Sequence, residues 1–270
     1  MKIKTLLSTF MASAALVGFA SPVTAQTAEF SEDFGTISSG TTITTSNTNL
    51  TYVRKGSGAP NISAINPSSF GSGSSASIQT TGGSITGIGV KNTLTTSDVY
   101  TFSVDFLIND VSAGDIVFGV GSGSAFTGNS SFTTSHGLFW LQSDSGNFER
   151  RTSSGWSNIG LTLQDNTAYS LHVVANGSSS DISYGDNSVA AGKMDIYMDD
   201  ALLADDQTIT NSLQADGFRI YSVNGGIGEI DNIALYASAE AVVVPEPSTY
   251  ALLAGMFALA SVMLRRRSVK

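Results

Sequence analysis

The stretch Tyr100-Thr-Phe-Ser-Val-Asp-Phe-Leu-Ile108 carries the clearest secondary-structure signal in this chain. Its residues Phe102, Val104 and Phe106 alternate with threonine, serine and aspartate. Successive side chains of a β-strand point to opposite faces of a sheet, so this alternation predicts a strand with one dry face and one polar face. The dry face needs a second layer of structure to cover it.

Similar short segments lie on both sides of this strand, separated by turns rich in Gly, Ser, Asn and Asp. The candidate strands are 29–34, 50–53, 85–90, 100–108, 117–120, 137–142, 165–176, 193–199, 201–204, 217–223 and 227–236. The first of them, anchored by Phe30 and Phe34, is predicted as an edge strand. No window of ten or more residues between 26 and 240 shows a helical period. The sequence therefore predicts one all-β domain over 26–240, an antiparallel β-sandwich or jelly roll.

The connections between these strands give three further expectations. Asp199-Asp200 is predicted to close a hairpin, and Gly225-Gly226 to close a second hairpin that ends the domain. Residues 176–187 are predicted as a long polar loop. The run 137–142 is apolar on both faces, which indicates a central or covered strand with Trp140 in the core.

The N-terminus has the pattern of an export signal. Lys2 and Lys4 give a positive start, residues 6–20 form an apolar stretch, and Val23-Thr-Ala25 is a small-residue cleavage site. We expect a signal peptide over 1–25 with cleavage after Ala25; Gly18-Phe-Ala20 is the alternative site.

The C-terminus carries Val244-Pro-Glu-Pro-Ser-Thr249, an uncharged stretch over 250–264 and a basic end over 265–270. A helix over 250–264 would be about 22 Å long, against roughly 30 Å of bilayer hydrocarbon, so it predicts a short transmembrane segment. The arginines Arg265, Arg266 and Arg267 would hold the C-terminus on the inner side of the membrane.

Together these parts resemble the PEP-CTERM sorting signal of Gram-negative bacteria, with Pro245, Glu246 and Pro247 as its tripeptide. The resemblance assigns 241–270 to the signal. It implies recognition by an exosortase-type membrane protease, removal of the tail, and transfer of the body from the inner membrane to the cell surface or the extracellular polysaccharide matrix.

The second half of the body resembles a concanavalin A-like, laminin-G-type jelly roll. The resemblance rests on the order of three motifs, at 167–173, 194–203 and 230–236. Asp200 stands where such hairpins commonly have glycine, and aspartate adopts a positive φ less readily than glycine does.

The charge of the chain argues against some partners. The formal charge is −9, and loss of both ends would leave seven basic residues against 22 acidic ones if Glu246 is retained. Nucleic acid and anionic lipid are therefore poor partners. The chain has no cysteine, which excludes thiol catalysis and cysteine metal sites.

Catalysis has one candidate motif, Gly228-Glu-Ile-Asp-Asn-Ile233. Glu229 and Asp231 share a face of one strand, as catalytic carboxylates of sandwich glucanases do. Ile233 occupies the next position on that face, where a second glutamate is needed, so we expect a carboxylate pair beside the terminal strand and no enzyme.

Metal binding is compatible with the acidic residues Asp195, Asp199 and Asp200, and with Asp205 and Asp206. Calcium takes several carboxylate oxygens, and laminin-G-type relatives commonly hold one calcium, but solvated edge aspartates are the simpler explanation of the cluster. No cofactor is required. Zinc is disfavoured because the chain has two histidines, His136 and His172.

Sugar binding would use exposed aromatic rings beside polar groups. The candidates are Trp156, Tyr184, Tyr197 and Tyr221, and Trp156 has the most polar neighbours. The sequence thus favours a non-enzymatic matrix protein that binds polysaccharide. The alternatives are an extracellular glycan hydrolase or lyase with the same fold, and a structural protein without a ligand.

Overall fold

The computed structural model describes residues 27–35, 37–81, 84–91, 93–122 and 134–240. Within them, two antiparallel sheets enclose one hydrophobic core. The strands are β1 (Phe30–Glu32), β2 (Tyr52–Arg54), β3 (Ser63–Ile65), β4 (Ser75–Gln79), β5 (Thr86–Val90), β6 (Val99–Ile108), β7 (Asp115–Gly121), β8 (Gly137–Asp144), β9 (Asn147–Thr152), β10 (Gly155–Thr162), β11 (Thr167–Asn176), β12 (Ile182–Tyr184), β13 (Asn187–Val189), β14 (Lys193–Met198), β15 (Ala201–Thr208), β16 (Gly217–Val223) and β17 (Ile227–Tyr236). A single-turn 3-10 helix, Thr134–His136, precedes β8. The all-β sandwich prediction is confirmed.

Sheet A has the order β15-β14-β11-β6-β17-β4-β3, and β1 also pairs with β17. Sheet B has the order β10-β9-β8-β7-β16-β5-β2. The hairpin β12–β13 forms a separate two-stranded sheet. We call the face of each sheet that is turned away from the other sheet its outer face.

Strand β6 lies in the middle of sheet A, between β11 and β17. Its inward residues Phe102 and Phe106 reach the other sheet, where Phe106 lies 5.0 Å from Phe118 and Phe102 lies 5.8 Å from Phe218, measured between ring centroids. Burial of each such ring contributes roughly 1.5–3 kcal/mol. The alternation in 100–108 therefore predicts the core-facing side correctly.

The hairpin prediction at Asp199-Asp200 is also confirmed, because β14 ends at Met198 and β15 starts at Ala201. Both aspartates have positive φ, 52° and 63°, as a two-residue hairpin with the right-handed twist requires. Asp200 thus adopts the positive φ that the turn requires without being glycine.

Three predictions need correction. The chain does turn at Asn224-Gly225, but β16 belongs to sheet B and β17 to sheet A, so the turn joins the two sheets and closes no hairpin. The predicted polar loop, 176–187, includes β12 and the first residue of β13, which pair as a hairpin. The segment around Trp156, for which no strand was predicted, forms the hairpin β9–β10.

The two ends of the domain meet on sheet A, where Phe30 of β1 pairs with Leu235 of β17. β1 and β4 lie along the same side of β17, one beyond the other. Several predicted features lie outside the described residues: the signal peptide with Ala25, and the sorting signal with Val244, Pro245, Glu246, Pro247, Arg265, Arg266 and Arg267. In the described part of the chain, no helix has the length and apolar character needed to cross a bilayer.

Candidate functional site

A line of aromatic and basic side chains crosses the outer face of sheet B. In order across the sheet its members are Trp156, Arg151, Trp140, Gly119, Arg219, Gly89 and Tyr52. The strand register pairs each of them with the next, except that Arg151 stands beside Trp140 because the preceding Arg150 pairs with Leu141. We call this line the aromatic–arginine row.

The sheet makes room for the largest member of the row with small residues. The Trp140 indole lies over Gly119 and Gly137, and a Cβ atom on either glycine would overlap it. Trp140 is 1% exposed and packs with Val117 and Tyr221 in a cluster separate from the main core. The prediction that Trp140 is buried is confirmed, although it lies on the outer face.

Arg219 lies in the middle of the row and is 1% exposed. Its guanidinium carbon is 4.5 Å from the centroid of the Tyr221 ring and 5.4 Å from that of Tyr52. Burial lowers the pKa of Arg219, yet an arginine in a protein keeps its charge. The aromatic rings accept that charge through cation–π contacts, so the row holds a buried positive centre.

The end of the row at β10 is accessible. Trp156 and Arg151 are both partly exposed, and the Arg151 guanidinium lies 5.4 Å from the Trp156 ring centroid. Asn158 and Glu149 lie opposite each other on the same face. Arg151 Nε is buried and has no hydrogen-bond partner among the described residues. This end combines a ring face, a planar cation and polar groups.

Of the four aromatic residues predicted to bind sugar, the structure leaves Trp156 accessible. Tyr221 is next to the row but 1% exposed, and Tyr184 and Tyr197 are buried on the outer face of sheet A. The prediction that these three tyrosines present exposed rings is wrong, because other parts of the chain cover them.

Sequence reasoning missed Arg151, Arg219 and Tyr52. The signal that could have found Arg219 is the alternation of glycines in β5, where Gly87 and Gly89 pair with Tyr221 and Arg219. Glycine at every second position of a strand leaves space for large side chains on its neighbour.

The acidic residues gather mainly around sheet A. Asp195, Asp205 and Asp206 have carboxylate oxygens within 4.8 Å of one another, close enough to bind one metal ion such as calcium. The predicted set of Asp195, Asp199 and Asp200 is not brought together, because four residues of strand put about 13 Å between Asp195 and Asp199.

Asp195 already has a role in the fold. Its Oδ1 accepts a hydrogen bond of 2.8 Å from the Asp206 amide, and its Oδ2 accepts one from the Tyr184 hydroxyl. Tyr184 also bonds to the Tyr197 hydroxyl at 2.8 Å. Burial raises the pKa of Asp195, while these hydrogen bonds favour its charged form. A metal ion here would compete with the two donors.

Asp199 and Asp200 occupy the β14–β15 turn. Asp199 Oδ1 accepts a hydrogen bond of 2.8 Å from the Ser170 amide. Asp199 also borders an open cleft of about 300 Å³ on the outer face of sheet A, together with Phe70, Asp105 and Ser170.

The carboxylates of the candidate catalytic motif lie on the outer face of sheet A but are buried. Glu229 accepts a 3.0 Å hydrogen bond from Ser75, and Asp231 a 2.8 Å bond from Ser68. Burial raises the pKa of Asp231 to about 6, and the nearby Asp105, its cross-strand partner, adds to this. Serine hydroxyls thus satisfy both carboxyl groups.

The histidines lie in different surroundings. His136 ends the 3-10 helix before β8. His172, in β11, meets the Tyr197 ring edge-on at 5.9 Å and lies 3.4 Å from the Glu240 carbonyl oxygen. Burial lowers the pKa of His172.

No protein-family model matches the chain, and no curated protein matches it. Among solved structures, a protein described as "Sialidase" aligns with a TM-score of 0.47 and 10% identity, covering 65% of this chain and 16% of that one. The globular domain of T. cruzi calreticulin has a TM-score of 0.45 and 8% identity, covering 89% and 100%. The Emp46p carbohydrate recognition domain, in its metal-free form, has a TM-score of 0.39 and 10% identity, covering 61% and 83%.

This chain spans about a sixth of the length of the sialidase that it matches. All three identities are at or below 10% and all three TM-scores are below 0.5. The similarity is partial and concerns the layout of the strands, and it carries no conclusion about ligand or reaction.

Proposed function

We propose that this chain is a non-enzymatic, polysaccharide-binding β-sandwich of the concanavalin A-like type, sorted to the cell surface or extracellular matrix. The observation that carries the binding proposal is the aromatic–arginine row, with Trp156 and Arg151 at its accessible end. A pyranose ring packs its apolar face on an aromatic ring while its hydroxyls bond to nearby polar groups. Asn158 and Glu149 would supply such groups.

The buried part of the row would give the site rigidity. Packing and cation–π contacts hold Trp140 and Arg219 in place. The strands that carry Trp156 and Arg151 are therefore next to an ordered part of the same sheet face. A preformed site loses less conformational entropy on binding than a mobile one.

A binding screen with the full chain in mild detergent tests this proposal. The chain is expected to bind at least one polysaccharide without releasing reducing sugar, and Trp156→Ala is expected to weaken that binding at least tenfold. The matched control is Phe70→Ala, which removes a partly exposed ring beside the cleft on the opposite sheet. Loss of binding in the control alone would move the site to that cleft, and silence on every polysaccharide would favour a structural protein without a ligand.

A hydrolase or lyase is the second candidate function, supported by one observation. Asp231, with a pKa of about 6, is buried opposite Asp105, and Asp105 borders the open cleft. A proton donor beside a carboxylate is what glycoside hydrolysis uses. If the wild-type chain releases sugar products from a polysaccharide and the Asp231→Asn variant does not, this function would be established in place of the binding role.

The sorting route is proposed from the resemblance of the tail to PEP-CTERM signals. An exosortase-type protease would be the processing partner, and the inner membrane would hold the chain only until cleavage. Replacing Pro245, Glu246 and Pro247 with alanine is expected to leave the protein uncleaved in the membrane fraction. Unchanged surface delivery of that variant would contradict the proposal.

Calcium is not required by this function. If the chain takes up calcium, the triad of Asp195, Asp205 and Asp206 would hold it. If calcium chloride raises the melting temperature of the wild type but not of the Asp206→Asn variant, the triad is the calcium site. An equal rise in the wild type and the variant would exclude it.

A further inference from the structure

We propose that the polysaccharide bound at the aromatic–arginine row is anionic, with carboxylate or sulfate groups that pair with Arg151. This inference rests on the proposed binding function and adds the chemical class of the ligand. The supporting observations are the separation of charge between the two outer faces and the geometry around Arg151.

Basic residues are few in this chain, and they concentrate on one side of the sandwich. Of the seven basic residues between 27 and 240, four belong to the outer face of sheet B or its margin: Arg54, Lys91, Arg151 and Arg219. The Lys91 Nζ lies 5.9 Å from the Tyr52 ring centroid, so it extends the positive charge along the row.

Carboxylates lie mainly on the opposite side. Asp105, Asp195, Asp199, Glu229 and Asp231 all occupy outward positions of sheet A or its turns. The outer face of sheet B carries three carboxylates, Asp115, Asp144 and Glu149. Glu149 accepts a hydrogen bond from Gln142, and Asp115 one from Asn224.

The thickness of the sandwich allows the two faces to act separately. Packed sheets are about 10 Å apart, and the outer side chains add to that distance. The Debye length is also about 10 Å at 0.1 M salt. An anionic chain approaching the outer face of sheet B is therefore largely screened from the acidic face, despite the net negative charge of the protein.

Arg151 has the geometry to read an anionic group on a sugar. Its guanidinium is 5.4 Å from the Trp156 ring, so one sugar unit can touch both side chains. The planar guanidinium matches a carboxylate with two parallel hydrogen bonds. Arg151 is partly exposed, so a ligand on this face can approach it.

The test compares four polymers on the full chain in mild detergent: polygalacturonate, its fully methyl-esterified form, a sulfated galactan and neutral dextran. Polygalacturonate, the sulfated galactan or both are expected to bind at least tenfold more tightly than the esterified polymer. That affinity should fall as sodium chloride rises from 50 to 200 mM. Which anionic polymer binds more tightly identifies the preferred group.

Two variants locate the charge. Arg151→Gln is expected to lose at least tenfold in affinity for the anionic polymer, whereas Arg151→Lys keeps part of it. The control Lys193→Gln removes a cation on sheet A, which bonds to Thr208, and should leave affinity unchanged. Circular dichroism checks that each variant folds; the comparison of free and esterified polymers decides the question without any variant.

The outcomes separate the two proposals. Equal binding of esterified and free polygalacturonate, without a salt effect, would overturn the anionic ligand and leave polysaccharide binding intact. Absence of binding to all four polymers and to the wider polysaccharide screen would overturn both. An Arg151→Gln affinity equal to that of wild type would refute the role of Arg151.

Discussion

At the residue scale, the outer face of sheet B depends on glycines as much as on aromatic residues. Trp140 can lie against the sheet only because Gly119 and Gly137 have no Cβ atom. Trp140 in turn packs with Tyr221, whose ring holds the Arg219 guanidinium. A single methyl group under the indole would therefore disturb the whole row.

Gly119→Ala is expected to destabilise the fold by about 1–3 kcal/mol, because the added methyl overlaps the Trp140 ring and forces it from its place. Urea unfolding measures the loss. The double variant Gly119→Ala with Trp140→Phe should cost less than the sum of the two single changes, since the smaller ring leaves room for the methyl. Strictly additive losses would show that the two side chains do not meet.

The raised pKa of Asp231 predicts that the stability of the fold depends on pH. The folded chain keeps its proton up to a pKa of about 6, whereas the unfolded chain loses it near 3.9. The stabilisation from the neutral carboxyl is complete below about pH 4 and is lost as the pH rises to 6. Asp231→Asn mimics the neutral form at every pH. The stability of wild type relative to this variant should fall by on the order of 1–2 kcal/mol between pH 4 and pH 7.

Urea titrations of both chains at several pH values measure that difference. A constant difference from pH 4 to pH 7 would mean that Asp231 titrates as an ordinary exposed aspartate. The comparison cancels the contributions of the other acidic residues, which both chains share.

The sequence predicts the direction of a side chain better than its exposure. Alternation correctly places Tyr197 on the opposite face of β14 from Met194 and Ile196. The alternation cannot show that Tyr184, from the β12–β13 hairpin, packs over that face and buries Tyr197. Exposure depends on contacts between segments distant in sequence, and no local pattern records them.

At the element scale, the hairpin β12–β13 is a cover for the outer face of sheet A. Tyr184 and Val189 from the hairpin pack with Val174 and Tyr197 of the sheet. The Tyr184 hydroxyl reaches Asp195, so one residue supplies both apolar contact and a hydrogen bond to a buried charge.

Tyr184→Phe is expected to cost about 1–3 kcal/mol, because the buried Asp195 oxygen loses its donor while the ring stays in place. Asp195→Asn alone should also destabilise, but the double variant should lose less than the sum of the two. Thermal unfolding measures all four chains of the cycle. A coupling energy near zero would mean that Tyr184 and Asp195 do not stabilise each other, which would contradict the hydrogen bond between them.

The sequence of a turn predicts that the chain reverses direction, but not which strands pair on either side of it. Asp199-Asp200 joins neighbouring strands of one sheet, and its two-residue length and positive φ values suit a hairpin. Asn224-Gly225 has the same turn chemistry, with φ of 55° and 95°, yet it carries the chain from sheet B to sheet A. The turn residues fix a local reversal, whereas the partner of each strand is chosen by the packing of the core.

At the scale of the whole molecule, the sandwich is polarised. Its acidic residues stand mainly on sheet A, and the aromatic–arginine row crosses the outer face of sheet B. The composition predicts the net acidity, but the segregation of charge appears only after the strands are assigned to sheets. The small number of basic residues in the composition argues against a polyanionic ligand. The position of these residues on the outer face of sheet B argues for one.

This polarity predicts opposite effects of salt on stability and on binding. Raising sodium chloride from 20 to 200 mM should raise the melting temperature by a few degrees, because screening weakens repulsion among the carboxylates of sheet A. The same change should weaken binding of an anionic polysaccharide at the row. Asp200→Asn combined with Asp205→Asn removes two exposed charges from sheet A and should flatten the salt dependence of the melting temperature alone. A melting temperature that falls with salt, or a binding affinity that the double variant also alters, would show that the two faces are not electrostatically independent.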